Sequence, residues 1–536
     1  MNSENGSTKS KEEFQGKYPS ILNDVIGPVM RGPSSSHCAA ALRIGRIARD
    51  LMAGCITEVV VEYDVNGSLA TTHLSQGSDM GLMGGLLGWD TTDERLAHSG
   101  QALADAGIKI SFEIRDIGAE HPNTYQLILK NSTETHTLSA ISTGGGMIEV
   151  QIIDGAKVSI AGDYYETLIY CDRNNHRMVE DVKNCIEADA ILFLDVTDGK
   201  LIEIKAQRFL DEQAIARLNA RHGQKVFRLL SPVLPVMSRQ RIEVPFISCD
   251  EMLACNQGKD LQLWELACLY EGARGSLSRE QVLDRMQEII LIMERSIQTG
   301  IEGTSYQDRI LGYQSGAFRT QMNQNNLLDG GILNQIILYV TALMEMKSSM
   351  GVIVAAPTAG SCSGLPGACI GAAHAMGLPV EEMAKAMLSA GMIGIFIAAH
   401  ATFAAEVGGC QAECGAASGM AAAALVSLSH GTVQQALNAA SMALQNILGM
   451  ICDPVANRVE VPCLGKNILA ASNALACANM ALANFDAVIP LDEVIETMDR
   501  VGKSLPVQLR CTALGGLSTT PTSKKIEQRL ASNAKL

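Results

Sequence analysis

The sequence predicts an α+β multidomain protein in three parts: an N-terminal α/β domain, a central ferredoxin-like βαββαβ module and a C-terminal all-α domain. Three observations predict it. Residues 57–64, 109–115 and 125–129 alternate apolar and polar side chains, as half-buried strands do. Residues 167–171, 190–196, 201–206 and 226–230 read as strands, with helices over 176–187 and 211–221 in the β-α-β-β-α-β order of a ferredoxin-like module. From about residue 250 onward the chain turns rich in Ala, Met and Leu at helical spacing, most clearly over 419–428, 432–449 and 466–485.

Taken in order, residues 1–16 form a polar tail without the apolar stretch of a secretory leader. Ser34, Ser35, Ser36 and His37 precede a helix expected over 36–51, where serine hydroxyls can cap and free N–H groups can hold an anion. The proposed parts are 17–155, 156–235 and 236–536, with Ser-Pro-Val-Leu-Pro-Val (231–236) as the connection. Residues 388–409 are apolar almost throughout and nearly long enough to cross a bilayer. The dominance of Ala and Gly favours instead a helix buried on all sides.

A net charge of −15 argues against nucleic acid and anionic membrane as partners, since both need clustered Lys and Arg. Fifteen cysteines without a leader point to a reducing compartment, hence a cytoplasmic protein. A homo-oligomer is expected.

Most of those cysteines are expected in the core. Cys410, Cys452 and Cys463 differ because each sits in a glycine- or proline-bearing stretch, at intervals of 42 and 11 positions. They lack the short Cys-x-x-Cys spacing of ferredoxins and zinc sites, so only folding can bring them together. Three thiolates suit an iron–sulfur cluster with one open iron, which can act as a Lewis acid.

The motifs around these residues resemble the iron–sulfur L-serine dehydratases over nearly the whole chain. In the C-terminal half the matching stretches are Ala-Pro-Thr-Ala-Gly-Ser (356–361), Gly-Gly-Cys-Gln-Ala-Glu (408–413), Ala-Ser-Gly-Met-Ala-Ala-Ala (417–423), Cys-Asp-Pro-Val-Ala (452–456) and Val-Glu-Val-Pro-Cys (459–463). Ile-Gly-Pro-Val-Met-Arg-Gly-Pro-Ser-Ser-Ser-His (26–37), His-Pro-Asn-Thr (121–124) and Gly-Gly-Gly-Met-Ile-Glu (144–149) are similar to the family's β half. The end, Leu-Arg-Cys-Thr-Ala-Leu-Gly-Gly-Leu-Ser-Thr-Thr-Pro-Thr (509–522), is similar to the end of its α half. The resemblance therefore implies a β–α fusion with a degenerate ACT-like module at 156–235, where Cys171-Asp-Arg-Asn-Asn-His replaces the usual glycine turn.

The resemblance implies a 4Fe–4S cluster on Cys410, Cys452 and Cys463, no pyridoxal phosphate, and elimination of water from L-serine to give pyruvate and ammonia. A positioned base would take the Cα proton. Gln76, in Ser-Gln-Gly-Ser-Asp (75–79), stands where the family has its histidine, and an amide cannot serve as that base. His121 is the preferred substitute, with His73 and His37 also available. Ser142 and Ser78 complete the expected catalytic set. Ser34, Ser35, Ser36, His37, Thr358, Gly360 and Ser361 are the expected substrate contacts. Arg458 and Lys466 can balance charge at the cluster or pair with a carboxylate, solvated surface being the alternative. Cys511 replaces an acidic residue and reads as a further iron ligand or as packing. Two other functions stay open: the same elimination on L-threonine, L-cysteine or another β-hydroxy acid, and a non-catalytic iron–sulfur sensor.

Overall fold

The computed structural model describes residues 18–171, 176–196, 199–239 and 241–533. The polar tail and the turn that replaces the ACT-style glycine lie outside them. The fold is mixed α+β in two compact units, Met1–Ser36 with Glu243–Leu536, and His37–Ile242.

The first unit begins with a π-helical turn over Ile21–Val25, followed by β1 (Val29–Met30). The second then contains α1 (Ala40–Leu51), β2 (Glu58–Asp64), α2 (Leu69–Thr72), α3 (Ser78–Leu86), α4 (Ser99–Asp105), β3 (Lys109–Arg115), β4 (Thr124–Lys130), β5 (Thr135–Gly144), β6 (Met147–Ile153) and β7 (Ala156–Ile160). These strands form one sheet in the order β3-β2-β4-β5-β6-β7, in which only the β2–β3 pair is parallel. Alternation explains its sidedness: Tyr125, Leu127 and Leu129 of β4 are buried, together with Val59 and Val61 of β2, against Ile44, Ile47 and Leu51 of α1 and Leu82 and Leu86 of α3. Small residues let the two helices touch, since a Cβ on Gly85 would stand 2.1 Å from the Leu42 carbonyl oxygen.

The same unit continues with β8 (Tyr165–Cys171), α5 (His176–Lys183), β9 (Ala188–Val196), β10 (Gly199–Ala206), α6 (Glu212–His222) and β11 (Val226–Leu230). Their sheet is antiparallel in the order β11-β8-β10-β9. Its inner residues Ile169, Ile202 and Ile204 pack with Met178 and Val182 of α5 and Ala214 and Leu218 of α6. Leu168, Leu201 and Leu230 on the other face join the core of the six-stranded sheet.

The helix expected over 36–51 is present, as a π-helical turn over Ser35–Ala39 that runs directly into α1. No side chain caps α1 itself at Ala39, whose backbone is already helical. The Ser35 hydroxyl instead accepts the Ala359 N–H at 3.0 Å, a tertiary bond that local sequence does not signal.

The rest of the first unit is almost wholly helical: α7 (Cys249–Asn256), α8 (Leu263–Gly275), α9 (Arg279–Glu302), α10 (Ser315–Asn323), α11 (Ile332–Ser348), β12 (Ile353–Val354, paired with β1), α12 (Gly364–Met376), α13 (Val380–His400), α14 (Ala405–Gly408), α15 (Ala416–Leu428), α16 (Val433–Gln445), α17 (Cys463–Leu482), α18 (Leu491–Ser504) and α19 (Pro521–Asn533). Helix α15 is buried on nearly every face and packs against α12, α13, α16 and α17. Among the described residues α13 alone is long and apolar enough to span a membrane, and 78% of its apolar window is buried inside the fold. The apolar stretch expected over 388–409 is interrupted, because the helix ends at His400 and resumes as the short α14.

Candidate functional site

Three chain segments bring cysteines together in the helical unit. Cys410 follows Gly409, whose positive φ of 74° and position, with a Cβ only 2.9 Å from the Met450 carbonyl oxygen, admit no side chain. Cys452 is fixed by backbone bonds in both directions, its N–H to the Leu509 carbonyl at 2.8 Å and its carbonyl from the Cys511 N–H at 3.1 Å. Cys463 opens the 20-residue helix α17, where the helix N-terminus favours a thiolate.

Donor atoms of Cys410, Cys452 and Glu413 lie within 4.8 Å of one another. Cys511 packs in the same buried cluster as Cys410 and Cys452. Hydrogen bonds to Cys410 and Cys511, with burial, push the Cys452 thiol well above its ordinary pKa. Cys463 stands outside that closest group. Its thiol is likewise pushed up, chiefly by burial, and the charge of Cys410 adds to the effect. Lys466 donates to Asp453 at 2.8 Å and to the Ile451 carbonyl at 2.7 Å, with Cys410 Sγ 3.7 Å away. Burial opposes its charge, but Cys410 and Asp453 outweigh it and hold the ammonium form. Buried soft donors with a cation beside them fit a thiolate-held iron–sulfur cluster and suit hard cations poorly.

The turn at 356–361 belongs to the same unit. Thr358 Oγ1 donates to Glu413 at 2.6 Å. Ser361 Oγ accepts the Thr358 N–H at 3.2 Å and donates to the Ala356 carbonyl at 3.3 Å. Gly360 leaves room for Glu413, since its Cβ would stand 2.6 Å from the carboxylate. Burial raises the Glu413 carboxyl to about 7, against the Thr358 bond. Asn467 ties turn to cysteine: its amide donates to Gly360 O at 2.8 Å and Cys463 O at 2.9 Å, and its oxygen accepts Gly364 N–H at 2.8 Å. Arg458 pairs with Asp308 at 2.7 Å, which accounts for its charge. Ser34, Ser35 and Ser36 are all buried.

In the unit His37–Ile242, Gln76, Ser78, His37 and Ser142 are all buried. His37 Nε2 is 2.8 Å from Thr72 Oγ1, whose own proton goes to the Ser68 carbonyl at 2.7 Å. Burial, then the charge of His73, lower the His37 pKa to about 3, so its ring is neutral at physiological pH. Ser78 Oγ accepts from Tyr125 at 3.1 Å. Among the described residues, the Ser142 hydroxyl and both polar side-chain atoms of Asn123 are buried without a hydrogen-bond partner, although the Ser142 N–H bonds the Asn123 carbonyl at 3.1 Å. Native proteins rarely leave such groups unpaired away from a ligand.

His121 and His73 differ in what they can do. His121 lines a cavity of about 620 Å³ with Glu120, Thr124, Gln126 and Ser139. Its Nδ1 accepts the Asn123 N–H at 3.1 Å, which places the ring proton of the neutral form on Nε2. Burial lowers its pKa. His73 presents the reverse arrangement: Nδ1 faces Asp79 at 2.8 Å, which leaves Nε2 with the lone pair.

Glu413, Asn467, Asn123 and Asp79 escaped the sequence reading as site residues. All four stand within quoted or neighbouring motif segments, but only tertiary contacts reveal their roles.

Residues 247–518 match the family model described as serine dehydratase alpha chain. The probable L-serine dehydratase alpha chain of Bacillus subtilis is 35% identical over 54% of this chain and 96% of its own length. The probable beta chain from the same organism is 40% identical over 28% of this chain and 68% of its own length. An L-serine dehydratase of Helicobacter pylori is 26% identical over 91% of this chain and 96% of its own length. With α-like and β-like halves on one polypeptide, the chain belongs to the iron–sulfur L-serine dehydratase family and is a lyase.

Proposed function

We propose that the protein removes water from L-serine and releases pyruvate and ammonia, using a 4Fe–4S cluster held by Cys410, Cys452 and Cys463. The observation that carries the reading is the group of buried thiols around Cys410 and Cys452 in a member of this family. When bound, such a cluster with an open iron supplies Lewis acidity toward a substrate hydroxyl. The protein's own groups do the rest. Ser142 and Asn123 offer unpaired buried dipoles to a polar substrate. Thr358, Gly360, Ser361 and the 34–37 loop are the proposed carboxylate-side contacts, with Ser35 fastened to the 356–361 turn. A histidine takes the Cα proton as hydroxide leaves, giving an enamine that tautomerises to an imine and hydrolyses in water.

His121, expected from the sequence as the base, sits in a cavity of suitable size. The contacts of the two rings favour a second assignment, in which His73, oriented by Asp79, is the base and His121 donates a hydrogen bond through Nε2. Gln76 then needs no proton-transfer role. Residues 156–235 are proposed as an ACT-like module, consistent with its strand order.

Anaerobic reconstitution followed by pyruvate or 2-oxobutyrate assays on L-serine, L-threonine and L-cysteine tests the reading. Preference for L-serine is the expected result, and a cluster-loaded protein inert toward all three would favour the sensor. His73→Asn is expected to lower kcat by roughly 10²–10⁴-fold. Full turnover by His73→Asn with loss in His121→Asn would return the role to His121.

A further inference from the structure

Strand β2 ends on Asp64, a carboxylate only 5% exposed. Its Oδ1 accepts the Asn66 N–H at 2.8 Å, and its Oδ2 accepts the N–H groups of Ile117 and Ala119, both at 3.1 Å. The last two belong to the connection between β3 and β4, which carries His121 and Asn123. Residues 64–68 follow that connection closely. The Val65 N–H donates to the Arg115 carbonyl at 2.8 Å and the Ser68 N–H to the Pro122 carbonyl at 2.9 Å. Gly67 admits no side chain, because its Cβ would stand 2.8 Å from the same Pro122 oxygen. Of these attachments only those to Asp64 depend on a side chain. Residues 116–119 lie outside helix and strand, and Gly118 turns the backbone at a φ of 65°, so a charged acceptor for two of their N–H groups fixes a course that no regular ladder would. Ile117, Gly118, Ala119, Glu120 and His121 together form one wall of the cavity of about 620 Å³.

We propose, resting on the reading above that His121 touches the substrate as base or as hydrogen-bond donor, that Asp64 is a positioning residue for the elimination: by holding Ile117 and Ala119 it sets the wall on which His121 is presented. Asn at this position has one acceptor oxygen instead of two and turns an NH2 group toward an N–H, so at least one attachment is lost. A displacement of about 1 Å at a group that acts on the reacting atoms costs on the order of 10²-fold in rate. A simple brace would behave differently, lowering the melting temperature while leaving the turnover of folded molecules unchanged.

Asp64→Asn and Asp64→Glu proteins, loaded anaerobically with iron and sulfide and assayed with L-serine per mole of cluster, separate these roles. Asp64→Asn is expected to lower kcat about tenfold or more, with KM held within about threefold. In a His121→Asn background the same substitution should add little, because its effect runs through that ring. Diethyl pyrocarbonate supplies a readout that needs no turnover. His121 Nδ1 accepts the Asn123 N–H at 3.1 Å, so its lone pair is exposed to the reagent only when the turn loosens. Peptide mass spectrometry should find His121 modified about threefold faster or more in Asp64→Asn, and His73 at its wild-type rate. Asp64→Glu, which keeps the charge on a longer arm, should fall between the two proteins, and it carries the same three measurements if Asp64→Asn does not fold. Wild-type kcat per cluster, an equal further loss in the His121→Asn background, or unchanged modification of His121 would reduce Asp64 to a brace. Cluster-loaded wild-type protein inert toward L-serine would instead remove the elimination reading, and the modification rates would then decide whether Asp64 places His121.

Discussion

At His37 burial decides the chemistry. The ring is completely enclosed, and its pKa of about 3 lies below the ordinary histidine value near 6.5. Between those values the unfolded chain binds a proton that the native chain refuses, so stability rises with pH across the window. The native state has its full stability above about pH 6.5 and loses this contribution progressively toward pH 3. Replacing His37 with Gln, which can still donate to Thr72, should shrink the fall in melting temperature between neutral and mildly acidic buffer; an unchanged fall would place the acid sensitivity elsewhere. Asn467 is a second residue-level case. Asn467→Ala removes three buried hydrogen bonds at once, at a cost of about 1–3 kcal/mol or more, read in a denaturation midpoint. Its place four positions after Cys463 was visible in the sequence, but its partners at 360 and 364 were not.

At the scale of elements, small residues set how closely segments approach. A Cβ on Gly394 of α13 would stand 2.1 Å from Val25 Cγ1, and one on Gly391 would stand 2.6 Å from Ile21 Cγ2. The segment Ile21–Val25 therefore lies on α13 by virtue of those two glycines. Gly394→Val should destabilise the protein by about 1–3 kcal/mol through overpacking, with little change at the polar surface. Periodicity made the elements themselves legible: 109–115 and 226–230 are strands with those bounds, and Ala-rich composition located α15 and α17. The ends were less legible where tertiary partners intervene. Ser35 accepts the N–H of Ala359, far along the chain, a partner that local sequence does not signal. The apolar run into Cys410 breaks at residues 401–404 because the chain must turn before Gly409.

For the whole molecule, the three cysteines proposed as ligands are 42 and 11 positions apart in sequence and approach one another only when the helical unit is folded. A cluster held by these proposed ligands would couple its binding to the folding of that unit. Loading should slow amide exchange around 408–415, 450–463 and 509–511 and raise the melting temperature. Neither change is expected in Cys452→Ser. The three cysteines were readable because glycine and proline mark backbone turns that a packed cysteine does not require. Glu413 was not, since one glutamate beside a cysteine carries no signal until its bond from Thr358 is seen. Likewise, the loss of histidine at Gln76 was plain in the sequence, whereas the pairing of His73 with Asp79 needed the fold.

Cys410, Cys452 and Cys463 are proposed to hold a catalytic iron–sulfur cluster. Iron and sulfide content after anaerobic reconstitution, measured with L-serine turnover on the same samples, tests it most directly. About four irons and four sulfides per chain are expected in the wild type, with pyruvate formed, and loss of both in each of the three Cys→Ser proteins. A wild-type protein that forms pyruvate from L-serine while free of iron, or that keeps its full iron content in the triple Ser variant, would contradict it.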